Sequence, residues 1–112
     1  MLSMYDQGKD FLRSLPYTVQ AVSIGEDFVI IALDGEVFTR NGRQVEKALS
    51  PRRTYVLGYS NSVAGYIPTA DEIPVGGYEI EVYYWWLVPA PFAPEVENAV
   101  VNGAVELARQ VE

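Results

Sequence analysis

Glu36 and the segment from Gly58 to Tyr78 carry the residues best suited to chemistry. The segment reads GYSNSVAGYIPTADEIPVGGY and combines glycines, prolines, polar and aromatic residues directly after an apolar stretch. Loops of this composition at strand ends are where proteins concentrate binding and catalytic side chains. Glu36 follows an earlier apolar stretch that ends at Leu33. If both stretches are parallel strands of a strand-helix-strand unit, their loops emerge at one sheet edge. We therefore expect Glu36 to meet the loop from Tyr59 to Tyr66.

The carboxylate of Glu36 is the group at this edge that could bind a metal ion. We predict that Glu36 lies at the N-terminus of a helix, where the helix macrodipole favours the ionised carboxylate by about 0.3 to 1 kcal/mol. An anionic oxygen in that position is a suitable ligand for a cation. The alternative is that Glu36 is one of the acidic residues that helices commonly carry in their first turn, with no functional role.

The hydrophobic pattern predicts the elements that position these residues. Apolar residues at helical spacing predict a first helix over Leu2 to Leu15, which Pro16 ends. Two apolar, β-branched strands follow, from Tyr17 to Ile24 and from Asp27 to Leu33, joined by a two-residue type II′ turn at Gly25-Glu26. The second strand is apolar on both sides, which indicates a central strand covered on both faces.

The second half of the chain reads as alternating helices and strands. A helix runs from the Asp34-Gly35 break to the Ser50-Pro51 stop, and a strand from Arg53 to Ser60 follows it, parallel to the strand before the helix. Tyr78 to Trp86 is predicted to be a fourth strand that places one pair of aromatic side chains in the core. An amphipathic helix with apolar positions from Val96 to Val111 closes the chain.

These elements predict a single α/β domain over residues 1–112. Its fold would be a mixed β-sheet of about four strands, made of a hairpin plus a parallel strand-helix-strand unit, packed with about three helices.

Composition excludes several classes of function. The 112 residues include 15 acidic and 8 basic side chains, and the net charge of −7 repels nucleic acid. The apolar runs are far shorter than the ~20 residues that cross a bilayer, and charged residues near the N-terminus argue against a signal peptide. We therefore expect a soluble chain with no membrane span, and the sequence does not indicate its cellular location. Because histidine and cysteine are absent, the chain alone cannot form a disulfide, a Ser-His-Asp triad or a histidine-ligated zinc site.

Four sequence blocks resemble the C-terminal part of the catalytic domain of the neutral/alkaline (non-lysosomal) ceramidase family. They are DGEVFTRNGRQVEKALSP, TYVLGYSNSVAGYIPT, GGYE and PAPFAPEVENAVVNGAVEL, and the similarity runs from about Val19 to the end of the chain. The GEVF block and the GYSNSVAGYIPT block, in that order, are its most specific parts. Members of this family are zinc-dependent amidases that cleave the N-acyl bond of ceramide.

The resemblance implies a metal site of which this chain holds only a part. Glu36 and Tyr66 correspond to zinc ligands of the family. The positions predicted to line the site or bind substrate are Tyr59, Asn61, Gly65 and Tyr78. The family's two zinc-binding histidines and its serine nucleophile belong to sequence N-terminal to the matching region, and this chain contains none of that sequence. The resemblance therefore implies a chain that is inactive alone and binds no zinc by itself. Its site would be completed by the remainder of a parent polypeptide or by a second copy of the chain.

Two other functions are compatible with the sequence. The chain could be a free-standing module that uses the edge from Tyr59 to Tyr78 to bind a small ligand or a partner protein. It could also be a structural module in which an exposed sheet edge or aromatic face pairs with a second copy, because unpaired edge strands recruit other strands. Neither alternative involves catalysis.

Overall fold

The computed structural model describes residues 16–62, 65–86 and 90–112. The helix predicted over Leu2 to Leu15 lies outside these residues. The elements in chain order are β1 (Val19–Ile24), β2 (Phe28–Leu33), β3 (Glu36–Val37), α1 (Thr39–Leu49), β4 (Arg53–Leu57), β5 (Tyr66–Ile67), α2 (Tyr78–Glu81), a 3-10 helix (Val82–Trp86) and α3 (Glu95–Gln110). This arrangement of strands and helices is the predicted α/β class. Over the same residues, no helix has both the length and the apolar composition that crossing a bilayer requires.

An antiparallel hairpin and a parallel crossover unit build the main sheet. β1 pairs with β2 antiparallel, β2 pairs with β4 parallel, and the strand order is β1-β2-β4. Both predicted units are therefore confirmed. The hairpin turn differs from the prediction, because the pairing of Ile24 with Phe28 leaves residues 25–27 in the connection. The turn thus has three residues instead of two, and Gly25 supplies the positive φ of 67° at its start.

The hydrophobic core lies on one face of the main sheet. Val29, Ile31 and Leu33 of β2 point to that face and are fully buried. α1 and α3 pack against this face and against each other. The closing helix is confirmed, and two residues of its predicted stripe, Val100 and Ala104, are buried together with Val101, Val105 and Ala108.

The opposite face of the sheet is covered less well. On this side of β2, Phe28, Ile30 and Ala32 are half-buried. The prediction that β2 is covered on both faces is therefore wrong for one face in the described part of the chain. The physical reason is that α1 and α3 both pack on the same side, where they share the core of buried β2 side chains.

A second, two-stranded parallel ladder places Glu36 in a strand and not in a helix. β3 pairs with β5, with Glu36 opposite Tyr66 and Val37 opposite Ile67. The Glu36 amide donates to the Gly65 carbonyl oxygen at 2.8 Å, and this pairing requires an extended backbone. α1 begins only at Thr39. The prediction that Glu36 lies in the first turn of a helix is wrong, because it precedes the N-cap residue Phe38 by two positions.

The segment from Tyr78 to Trp86 is helical, so the predicted fourth strand is wrong. Gly76 and Gly77 both adopt positive φ values, 76° and 105°, and turn the chain directly before α2. The amide of Glu81 then donates to the carbonyl oxygen of Gly77, which is a helical bond. The backbone of this segment therefore lacks the two-residue repeat of a strand, and the Trp85 side chain is 71% exposed.

Gly42 lies in the interior of α1, where its packing predicts that alanine is tolerated. A Cβ atom at this position would lie 3.5 Å from the Cβ of Val56, an ordinary van der Waals contact. Because alanine is favoured over glycine within a helix, Gly42→Ala is expected to raise the free energy of unfolding by about 0.5–1 kcal/mol. Urea unfolding followed by circular dichroism measures the change.

The matched control is Gly103→Ala in α3, where a Cβ atom would meet nothing within 4 Å. It is expected to stabilise the protein by a similar amount. If Gly42→Ala destabilises the protein and Gly103→Ala does not, α1 and β4 pack more tightly at Gly42 than the 3.5 Å distance indicates.

Candidate functional site

Glu36 and Tyr66 are direct neighbours in the β3–β5 ladder. The loops that carry them are joined by backbone hydrogen bonds, because the Gly35 amide donates to the Ser62 carbonyl oxygen at 2.9 Å and the Tyr59 amide donates to the Gly35 carbonyl oxygen at 2.8 Å. The loop after β2 and the loop after β4 thus meet at one edge of the main sheet. The predicted proximity of Glu36 to the loop from Tyr59 to Tyr66 is confirmed.

The two loops approach each other closely at Gly58. A Cβ atom there would lie 3.3 Å from the Gly35 carbonyl oxygen, closer than most side-chain contacts. Directly after Gly58, Tyr59 adopts a left-handed φ of 53°, which is uncommon for a residue with a large side chain. The backbone that presents the Tyr59 phenol to Glu36 is therefore held in an unusual conformation by the surrounding hydrogen bonds.

Two phenols face the carboxylate of Glu36. A hydrogen bond from the Tyr59 hydroxyl to Glu36 is the main reason that the pKa of Tyr59 is raised to about 12, with desolvation and the negative charge of Glu36 contributing further. The pKa of Tyr66 is also raised, first by desolvation and then by its hydrogen bond to Glu36. In both cases the carboxylate favours the neutral, proton-donating phenol. Both phenols belong to the segment that follows β4, Tyr59 at its start and Tyr66 in β5.

Tyr78 adds an aromatic contact to this pair. Its ring lies edge-on to the ring of Tyr66, with the centroids 6.0 Å apart and an interplanar angle of 77°. This is a favoured geometry for aromatic pairs. Tyr78 is the first residue of α2 and is 65% exposed. Glu36, Tyr59, Tyr66 and Tyr78, which we call the tyrosine cluster, thus come together from three loops.

A cavity of about 610 Å³ opens beside the tyrosine cluster. Glu36 and Tyr66 line one part of it, and charged side chains from α1 and from the segment leading into α2 line the rest. These charged side chains are Arg40, Arg43, Glu72 and Glu79. The spacing of the two arginines, three residues apart on one helix, was a signal in the sequence that they share a face. The helix predicted before Ser50 contains both arginines, but the cavity also needs the helical turn Tyr78–Glu81, where a strand is predicted.

Arg40 is engaged outside the cavity as well. Its guanidinium forms an ion pair with Asp71, and both side chains are more than half exposed. Exposed ion pairs of this kind contribute little to stability. Arg43 is exposed on the same side of α1. The cavity therefore combines carboxylates and guanidinium groups, so it is suited to a polar ligand of mixed charge.

Two predicted site residues lie apart from the tyrosine cluster. The Asn61 side chain is exposed and donates a hydrogen bond to the Gln20 side-chain oxygen of β1 at 2.8 Å, so it ties the loop to the sheet. Gly65 is buried and contributes its carbonyl oxygen to the amide of Glu36. The structure thus groups Glu36, Tyr66, Tyr59 and Tyr78 and gives Asn61 and Gly65 positions that support the loop backbone.

The donors at this edge do not by themselves fit a zinc ion. Zinc sites use four protein ligands, or three plus water, drawn from histidine, cysteine and carboxylates. In residues 16–62, 65–86 and 90–112, no three His, Cys, Asp or Glu side chains are grouped so that they could hold a metal. Glu36 and the phenol of Tyr66 supply oxygen donors from two adjacent positions and no nitrogen. The pair is at most one part of a zinc site.

Comparison of the chain with protein-family models, with curated proteins and with solved structures found no match.

Proposed function

We propose that this chain is a segment, or a degenerate relative, of a zinc-dependent ceramidase-like amidase that is inactive alone. In this proposal Glu36 and Tyr66 contribute two ligands to a metal site completed by other sequence, and the substrate is the amide of an N-acyl sphingoid base. The observation that carries the proposal is the register pairing of Glu36 with Tyr66. Both residues lie in sequence blocks that resemble that family. Residues paired in register on adjacent strands project their side chains to the same face, and this supports a shared ion.

The tyrosine cluster also contains a phenol that could fix the orientation of Glu36 at a metal site. Metal-binding carboxylates commonly accept hydrogen bonds from neighbouring groups, which fix their orientation. Hydrogen bonding to Glu36 is the main cause of the raised pKa of Tyr59. A divalent cation at the pair would oppose the effect of Glu36 and favour ionisation of Tyr66, because a bound cation is the largest local charge. Tyr59 would then be the positioning residue and Tyr66 the ligand.

The purified chain is expected to hydrolyse no N-acyl sphingosine and to bind zinc weakly. Elemental analysis after dialysis and a fluorogenic N-acyl sphingosine assay measure the two properties. The reason is the incomplete ligand set, since two oxygen donors cannot replace three or four ligands. Stoichiometric zinc that survives dialysis and is lost in Glu36→Ala would overturn the proposal that the site is incomplete.

Weak binding can still be located on the protein. Co²⁺, a paramagnetic substitute for Zn²⁺, is expected to broaden the NMR signals of Glu36 and Tyr66 first during a titration of the full chain. Glu36→Gln should abolish this broadening, whereas the matched variant Glu46→Gln, at an exposed position of α1, should leave it unchanged. Broadening centred on the acidic residues at the start of α3 would contradict a ligand role for the pair.

A second candidate is a free-standing module that binds a small polar ligand without catalysis. The cavity of about 610 Å³ favours this function, since ligand pockets range over ~300–1,000 Å³. The reading frame upstream of Met1 separates the two candidates. Histidine-rich blocks and a serine site in frame would support the amidase segment, and an immediate upstream stop codon would support the module.

A further inference from the structure

The tyrosine cluster brings three aromatic rings to one carboxylate. The ring centroids of Tyr66 and Tyr78 lie 6.0 Å apart, and the ring planes meet at 77°. Two planes at nearly a right angle form a corner in which one small group can contact both ring faces. Hydrogen bonding to Glu36 contributes to the raised pKa of both Tyr59 and Tyr66, so these phenols lie beside the carboxylate. Because the face of an aromatic ring attracts cations, the cluster suits a positively charged group.

A ligand can reach the cluster from solvent. The side chains of Tyr59 and Tyr78 are 59% and 65% exposed, and neither belongs to the hydrophobic core of the described residues. Glu36 and Tyr66 line the cavity of about 610 Å³. Burial in the core therefore does not account for the position of the Tyr59 and Tyr78 rings, and their exposed surface remains available for contact with a bound molecule.

The charges around the cavity favour a cation over an anion. Its described lining contains three carboxylates and two guanidinium groups, which are those of Glu36, Glu72, Glu79, Arg40 and Arg43. Arg40 is paired with Asp71, so its charge is balanced outside the cavity. The three carboxylates then outweigh Arg43. The net charge of −7 acts in the same direction, because an acidic protein attracts cations to its surface.

The groups in the cluster suit an organic cation better than a metal ion. A metal ion needs several oxygen or nitrogen ligands, and the described part of the chain groups no three His, Cys, Asp or Glu side chains that could supply them. A quaternary ammonium group has no N–H to satisfy and binds through aromatic faces and nearby negative charge. Glu36 is hydrogen-bonded by two phenols, which use part of its acceptor capacity and leave its charge in place.

We propose that the tyrosine cluster binds a quaternary ammonium group, with the rings of Tyr66 and Tyr78 as walls and Glu36 as the counter-charge. Tyr59 would act as a positioning residue that orients the carboxylate. The inference rests on the second candidate function, a module that binds a small ligand, and it names the chemical class of that ligand. A divalent cation at Glu36 would compete with the ammonium group for the same charge.

Titration of the full chain with choline tests this inference. The titration is followed by NMR of ring-labelled tyrosine, in the presence of EDTA and about 0.15 M salt, so that metal ions and long-range attraction do not contribute. The signals of Tyr66 and Tyr78 are expected to shift, whereas that of Tyr55, an exposed tyrosine of β4, should not. The uncharged isostere of choline, in which a tert-butyl group replaces the trimethylammonium group, should bind about tenfold more weakly.

Matched variants separate the ring faces from the hydroxyl groups and from the charge. Tyr78→Leu should weaken choline binding about tenfold, and Tyr78→Phe, which keeps the ring, should preserve it. Tyr55→Leu removes an exposed ring from β4 and should have no effect. Glu36→Gln should weaken the binding of choline and leave that of the uncharged isostere unchanged. Circular dichroism of each variant verifies that the fold is retained.

The possible results distinguish a cation site from an apolar one. Equal affinity for choline and for its uncharged isostere would overturn the inference, and so would choline binding that Tyr78→Leu leaves intact. Because Tyr78 is not a proposed metal ligand and the titration contains EDTA, these results are independent of the zinc proposal, which the Co²⁺ titration tests. The upstream reading frame in turn tests the module without reference to its ligand.

Discussion

Replacement of Arg52 by alanine is expected to lower the free energy of unfolding by about 2–3 kcal/mol. The Arg52 guanidinium donates hydrogen bonds to the carbonyl oxygens of Ala108 at 2.9 Å and Val111 at 3.2 Å, and to the Ser23 hydroxyl at 2.7 Å. The two carbonyl groups lie at the C-terminal end of α3, where helical carbonyls lack partners within the helix. A positive charge there also opposes the negative end of the helix macrodipole. Arg52 thereby joins α3 to the hairpin.

Two variants separate the hydrogen bonds of Arg52 from its charge. Arg52→Lys keeps the charge and loses the planar, multiply donating group, so an intermediate loss of stability is expected. Arg53→Ala removes an exposed arginine for which the described residues show no side-chain hydrogen bond, and the change should stay within about 0.5 kcal/mol. Urea unfolding at constant ionic strength compares all three. Equal losses for Arg52→Ala and Arg53→Ala would show that the bonds to α3 and Ser23 do not stabilise the fold.

The elements predicted correctly from the sequence are those whose partners are near in the chain or whose apolar pattern is long. The β1–β2 hairpin is local, and the closing helix repeats its apolar positions over four turns. The parallel pairing of β4 with β2 follows from the single helix between them. In these cases hydrophobic periodicity and chain connectivity point to one arrangement.

The errors occur where a distant partner or a turn overrides the local pattern. Apolar residues at helical spacing after Glu36 predict that it begins a helix, but its backbone pairs with Tyr66, thirty positions away. Local periodicity carries no information about such a distant pairing. Tyr78 to Trp86 has the aromatic content of a strand, yet the two glycines before it start a helical turn. In this segment the backbone conformation of the two glycines decides the secondary structure, and the aromatic side-chain types do not.

For the candidate site, the sequence predicts which loops meet but not where their side chains point. Because parallel strands end at one edge, the sequence predicts the contact between Glu36 and the loop that carries Tyr59 and Tyr66. Side-chain direction was not predictable, since it depends on left-handed backbone at Tyr59 and Asn61, with φ values of 53° and 67°. That conformation presents the Tyr59 phenol to Glu36, while the Asn61 amide bonds to β1.

Replacement of Glu36 by alanine is expected to lower the pKa of Tyr59 from about 12 toward the ordinary value near 10. The hydrogen bond to Glu36 is the largest cause of the raised pKa, and the variant removes both that bond and the negative charge. The corresponding change in the ionisation constant is roughly hundredfold. An NMR titration of ¹³Cζ-labelled tyrosine in the presence of EDTA measures it, with Tyr59→Phe identifying the signal. Glu46→Ala, which removes an exposed carboxylate from α1, should leave the titration of Tyr59 unchanged.

The same interaction predicts a loss of stability at alkaline pH. Because the pKa of Tyr59 is higher in the native protein than in an unfolded chain, the native state retains this proton between about pH 10 and about pH 12. The stabilising contribution is complete below pH ~10 and is lost as the pH rises through ~12. Urea unfolding across this range should therefore show a shallower decline in Glu36→Ala than in the native sequence. If the pKa of Tyr59 and the alkaline decline both persist in Glu36→Ala, the phenol does not donate to this carboxylate. Glu36 would then lack the support that makes it a suitable metal ligand.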